Sequence, residues 1–247
     1  MLNLNKCEID FERLFKRAPI VLTKRTPQIL DNSVYIEVRQ QATFVVANKY
    51  IELAYAYYVL ENFPETKSYF EKAAPFAFLR GFDPELKTSH NDWTIQQDLN
   101  IVLLFAEQEV LEKLKHSEIK LSSVQHQAKL QYVELLKNIV TGGTPEQSDI
   151  DAALLETKNT KDKDVLQYIL PLIEAISALT SADITLWQAS IDKAIKWHTD
   201  ECKFGDYKDM EEGFICLNAL TMAKLGKDMY GWQCQTNSLY LPLFLID

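Results

Sequence analysis

His198, Glu201 and Cys202 come closest, in type and spacing, to residues that could do chemistry. His198 and Cys202 are four positions apart, so a helix sets them on one face with Glu201 alongside. Imidazole, thiolate and carboxylate are all zinc ligands, and an imidazole beside a thiol is the start of an activated nucleophile. Neither set is complete. A metal would need further donors from Cys216, Cys234 or His90, and no orienting third group or oxyanion donor accompanies the thiol. The simpler role is structural, with His198 hydrogen-bonding the start of the next helix near Glu211 or Glu212. No catalytic residue, metal ligand or cofactor is assigned, and the chain reads as a non-enzyme.

Other chemistry is scarcer still. With 7 glycines in 247 residues, neither phosphate-binding glycine motif occurs. The nucleophile elbow, the zinc-protease helix and the calcium loop are equally absent. Glu107 and Glu109 are two apart and do not share a helix face. The acidic run from Asp206 to Glu212 suits a helix N-terminus, where the macrodipole favours negative charge. Tyr50, Tyr55, Tyr57, Tyr58, Tyr69 and Phe70 are too sparsely interleaved with basic residues for a base-stacking platform, and core packing explains them better.

The elements that must position these residues read as helices. Apolar periodicity predicts Leu4 to Arg17, with Pro19 and Pro27 breaking the pattern. A strongly apolar helix follows from Val34 to Leu60, then one from Pro64 to Leu79 stopped by Gly81. Thr94 to Lys115 reads as one long helix and Val124 to Ile139 as another. Thr144 and Pro145 open a short helix to Glu156. Asp162 to Leu179 carries Pro171 as an interior kink. Ser181 or Asp183 caps a helix to Glu201, and Asp206 to Leu225 ends at Gly226. The apolar segment Leu239 to Ile246 is expected to dock on the core.

The fold class is therefore all-α. The expected form is a multi-helical bundle or an irregular array of antiparallel helix pairs. One pair is tetratricopeptide-like, through Tyr50, Leu53, Ala54, Tyr57, Thr66, Phe70, Ala73 and Ala74. A single copy does not make a solenoid. The chain, 1–247, is read as one helical domain with subregions 1–81 and 92–247.

Composition is that of a folded chain, with 47% hydrophobic and 25% charged residues. Residues 1–80 hold 11 basic and 9 acidic residues, whereas residues 81–247 hold 15 and 26, so the −9 net charge sits in the later part. Such a field repels phosphate backbones and attracts basic partners. Four widely spaced cysteines suggest reduced thiols, and the best apolar run is interrupted by Lys49 and Glu52. Nucleic acid and membrane are not expected partners, and the expected location is cytoplasmic.

His198 and Glu201 at a helix end are followed by Glu212-Gly213, Leu217, Ala219-Leu220, Ala223 and Gly231. The pattern closes on Ser238, Tyr240, Leu241 and Pro242 with an apolar Leu243 to Leu245. Through these residues the C-terminal third resembles the bacterial Immunity protein 49 family, found beside secreted polymorphic toxins. The hairpin from Tyr50 to Ala74 also looks like that family's early tetratricopeptide-like pair. The resemblance implies an immunity protein that binds and neutralises a cognate toxin without catalysis. For a basic, nuclease-like toxin domain, Asp183, Asp192, Asp200, Asp206 and Asp209 are the expected contact surface, with aromatic anchors supplying most binding energy. The same scaffold also suits a helical adaptor or tetratricopeptide-like regulatory module, and the aromatic early helices leave room for a homo-oligomer. Outer faces, not an internal reaction centre, are expected to meet the partner.

Overall fold

The computed structural model describes all residues except 1, 3, 5–7, 89–90, 92–93, 120 and 122. The molecule is an all-α, multi-helical bundle. Among the described residues the only β pairing is an isolated bridge between Asn91 and Ser123. No helix of the described residues is long and apolar enough to cross a membrane.

Three helices form the first layer: α1 (Phe11–Leu30), α2 (Ile36–Val59) and α3 (Phe63–Phe82). Helix α1 corrects the sequence expectation. It starts later than Leu4 and runs through both Pro19 and Pro27. Both prolines are exposed, so the carbonyls they leave unpaired, on Phe15 and Thr23, face the solvent side. Meanwhile Leu14, Ala18 and Ile29 are buried, and Leu14 and Ala18 cluster with Leu53 and Ala56 of α2. The start of the predicted helix includes residues outside those described, Cys7 among them.

Helices α2 and α3 form an antiparallel hairpin. Ala54, Phe70, Ala73 and Ala74 are fully buried between them, Tyr55 meets Phe70 edge-on at 5.5 Å, and Tyr57 stacks on Tyr69 at 5.2 Å. Gly81 does not stop α3. It lies inside the helix because a Cβ there would come within 3.0 Å of the Asp98 Cβ, so glycine is the residue that lets α4 approach.

Helix α4 (Thr94–Phe105) is the central rod, with Ile95, Gln96 and Asp98 through Phe105 all buried. The expected long helix breaks after Phe105. The next residues, Glu107 to Glu109, are polar and exposed, and the chain turns outward into α5 (Gln108–His116) instead of carrying them through the core. The later helices are α6 (Gln127–Val140), α7 (Gln147–Asn159), α8 (Leu170–Ser181), α9 (Ile184–Phe204) and α10 (Leu217–Tyr230). Thr144 does not cap α7. Glu146 holds that position without a side-chain bond, and Pro145 is buried in the preceding turn.

Pro171 sits in the first turn of α8, directly after a wider coil of the same helical stretch. A π-helical turn, Val165–Ile169, precedes α8, and Leu170 N–H donates to the Val165 carbonyl. That extra residue relieves the clash between a proline ring and the carbonyl four residues back. Ala182 takes the left-handed conformation at φ 55°, and Asp183 then caps α9 by accepting from the Thr185 and Leu186 amides at 3.0 Å each.

Asp206 to Leu225 is not one helix. Turns and a 3-10 segment, Glu211–Phe214, occupy this stretch before α10 begins, and Gly213 to Cys216 are buried within it. Gly226 is interior to α10, which ends at Gly231 with φ 71°. A Cβ on Gly226 would lie 2.5 Å from Trp187 Cζ2, and the buried Trp187 donates Nε1–H to the Met222 carbonyl at 3.0 Å. The apolar tail docks as expected: Tyr240, Leu241 and Leu245 are buried and Leu243–Ile246 is a 3-10 turn. One cluster of buried side chains joins α2, α3, α4, α6, α8, α9, α10 and this tail.

Candidate functional site

The end of α9 carries the residues singled out from sequence. His198 Nε2 lies 2.8 Å from the Gly213 carbonyl, and Cys202 Sγ donates to the same oxygen at 3.1 Å. A carbonyl only accepts, so Nε2 holds the ring proton and Nδ1 is left as an acceptor. The partner is a backbone carbonyl of the 3-10 segment Glu211–Phe214, next to the Glu211 and Glu212 positions where a bond to the start of the next helix was expected. Burial pushes the His198 pKa down to about 4, with the Gly213 bond opposing, and keeps the ring neutral. Burial also raises the Cys202 thiol to about 12, so no thiolate–imidazolium pair forms. Glu201 is a turn clamp: its Oε2 accepts the Asp206 amide at 3.0 Å, and a Cβ on Gly205 would strike it at 1.9 Å.

The tail meets the same locus. Tyr240 packs against the His198 ring at 5.5 Å, donates its hydroxyl to the Leu4 carbonyl, and accepts the Cys216 amide on its own carbonyl at 2.8 Å. Ser238 Oγ accepts the Tyr240 amide at 3.2 Å, Leu241 is buried, and Pro242 precedes the closing 3-10 turn. His198, Gly213 and Tyr240 therefore fasten three separated segments at one point. Among the described residues no group of three or more His, Cys, Asp or Glu could hold a metal ion, and Cys202, Cys216 and Cys234 are free thiols. His90 and Cys7 lie outside the described residues.

A cavity of about 210 Å³, lined largely by polar side chains, reaches His198. Its floor is made by Gln96, Asn100, Tyr168, His198 and Asn218, and its edge by the exposed Thr94, Met210 and Glu212. Cys202 does not line it. Most of the floor is a closed network. Asn218 Oδ1 accepts from Asn100 at 2.6 Å and Tyr132 at 3.0 Å, and its amide donates to Tyr168 at 2.8 Å and Gln96 at 3.4 Å. Thr221 donates to Asn100 Oδ1 at 2.6 Å. Two atoms stand outside this network. His198 Nδ1 and Tyr55 Oη are buried without a hydrogen bond, Tyr55 having Gln97 beside it.

A second depression adjoins the cavity through Tyr55, Gln97, Met210 and Glu212, and adds Glu52, Asp209 and Glu211. Burial and the neighbouring carboxylates of Glu52 and Glu212 raise the Glu211 pKa to about 7, opposed by Lys49. Of the five aspartates expected on a contact surface, only Asp209 lies here. Asp183 is committed to capping α9, and Asp192 accepts from Gln188 at 2.9 Å. Asp200 and Asp206 are exposed near the end of α9.

Sequence reasoning missed Asn100, Asn218, Tyr168 and Tyr55 as one group. The available signal was a lone asparagine within each of two apolar helices, since a buried amide has four hydrogen-bonding positions to satisfy. It also missed the buried pair in which Arg80 Nε donates to Asp98 at 2.8 Å, with Asn48 and Gln97 completing the guanidinium's partners.

Comparison with known proteins places a family model described as Immunity protein 49 on residues 98–245, well over half of the chain. The match starts in α4 and leaves α1 to α3 outside. No curated protein and no solved structure matches.

Proposed function

The chain belongs to the Immunity protein 49 family, and from that premise we propose that it binds a cognate bacterial toxin in the cytoplasm and neutralises it by occupancy, with no catalysis of its own. The family match over residues 98–245 carries this reading. The chemistry of the site supports it. The imidazole is buried and neutral, the nearby thiol is held protonated, and the polar floor is largely spent on internal hydrogen bonds. What remains available to a partner is acidic: Asp209, Glu211 and Glu212 beside the cavity, with Asp200 and Asp206 further along. A basic, nuclease-like toxin domain is the complementary partner, its positive cleft drawn in by the opposite field.

Exposed Phe204 and Met210 bracket Asp206 and Asp209 in sequence and are the proposed apolar anchors. The test is co-expression with a candidate toxin from the same genome neighbourhood. Restored growth together with a complex that co-purifies is the expected result. Restored growth without a complex would replace binding with an enzymatic or indirect antidote.

A further inference from the structure

The acids beside the cavity and the unsatisfied ring nitrogen within it are acceptors, and the second unsatisfied atom, Tyr55 Oη, can accept as well as donate. Glu212 at the cavity edge and Glu211 in the adjoining depression have no ion-pair partner among the described residues, whereas Glu52 pairs with Lys49. Inside, His198 is 2% exposed and its Nδ1 can only accept, because Nε2–H is committed to Gly213. Three tyrosines, Tyr55, Tyr168 and Tyr207, also line the cavity. A cationic donor that can also pack against aromatic side chains suits all three features. Guanidinium has five donors, no acceptor and a weakly hydrated stacking face, whereas an ammonium is a strongly hydrated point charge. The cavity's roughly 210 Å³ falls below the approximately 300–1,000 Å³ of small-molecule sites, which suits the head of one side chain better than a cofactor.

We infer that this cleft is the receptor for an arginine side chain presented by the protein partner, with its charge held by Glu211 and Glu212 and one N–H reaching His198 Nδ1. The partner as source rests on the immunity reading above; the guanidinium chemistry does not. The crowding of Glu211 adds a signature. It faces Glu52 and Lys49 of α2, Asp209 and Glu212 of its own turn, and the neutral Gln97 of α4. An arriving cation favours the charged carboxylate, so binding releases a proton and strengthens as pH rises through about 7.

The first experiment needs no partner. Capped arginine (the N-acetyl methylamide) is titrated into the full chain labelled with 15N, while the His198 imidazole signals are followed. Saturable shifts are expected, with the capped citrulline analogue, the neutral isostere, binding at least about tenfold more weakly. Replacing both acids, Glu211→Gln with Glu212→Gln, should cost about tenfold or more while leaving the amide spectrum otherwise native. No saturable shift at His198, or equal binding of the citrulline analogue, overturns the site. The second experiment measures toxin affinity of the same double variant. A loss of about tenfold or more identifies the arginine as the partner's. Undiminished toxin affinity, with capped-arginine binding lost, overturns that source and leaves the immunity reading standing. Absence of any toxin complex removes the immunity reading and leaves the guanidinium titration to stand or fall alone.

Discussion

At the scale of single residues, one carbonyl organises the site. Gly213 accepts from both His198 and Cys202, and this fixes the imidazole tautomer, excludes a thiolate and leaves Nδ1 as an acceptor. The pKa of His198, lowered by burial to about 4, has a definite sign in linkage. The unfolded chain binds the proton more readily, so stability falls as pH drops from about 6.5 toward 4, by on the order of 3 kcal/mol at the lower end. NMR titration of the imidazole should show no protonation until about pH 5; an ordinary midpoint near 6.5 contradicts the buried, neutral ring. Glu211 acts in the opposite direction. Its raised pKa makes its contribution fade as pH rises from about 4.5 through 7. The Glu211→Gln variant should therefore melt higher than the parent at about pH 8 and no higher at about pH 5, and a reversed order in thermal melts would contradict the carboxylate crowding.

At the scale of elements, close approach and satisfied polar groups decide the packing. Gly226 lies under the Trp187 indole, so Gly226→Ala should cost about 1–3 kcal/mol in chemical denaturation despite alanine's better helix propensity. An unchanged midpoint would show that α9 and α10 tolerate separation. Asn218→Leu strands the groups that Asn100, Tyr132 and Tyr168 direct at it, and roughly 3 kcal/mol or more should be lost; a neutral result would mean the network is not held as described. These contacts also show what was legible from sequence. The α8–α9 turn was readable because Asp183 announces a local cap. The prolines of α1 misled because whether a freed carbonyl faces water is a tertiary fact. Gly81 and Gly226 read as helix ends by local propensity, whereas each is a contact point for a side chain distant in sequence, Asp98 and Trp187. The turn from Gly205 to Cys216 was hidden for the same reason: its acids suit a helix start, whereas its path is set by contacts distant in sequence, the Gly213 carbonyl with His198 and Cys202 and the Cys216 amide with Tyr240. His198 was identifiable as a structural histidine from its place near a helix end, but the cavity beside it was not, since its walls come from α2, α4, the π-helical turn, α9 and α10.

At the scale of the molecule, charge and architecture divide the labour. The early helices carry a small positive balance and the remainder carries the negative one, while the family match begins in α4 and spans the acidic part. The hairpin of α2 and α3 still contributes Tyr55 and Glu52 to the cleft, so the first layer is part of the site and not only its support. If opposite fields guide association, added salt should slow complex formation more than it speeds dissociation. The most direct measurement is titration of the purified chain against its purified toxin domain at low and at physiological ionic strength, with toxin activity read in the same samples. The account predicts a stoichiometric complex whose formation abolishes activity in proportion to occupancy and whose affinity weakens with salt. Inhibition at substoichiometric amounts, or inhibition without a complex, would contradict neutralisation by binding.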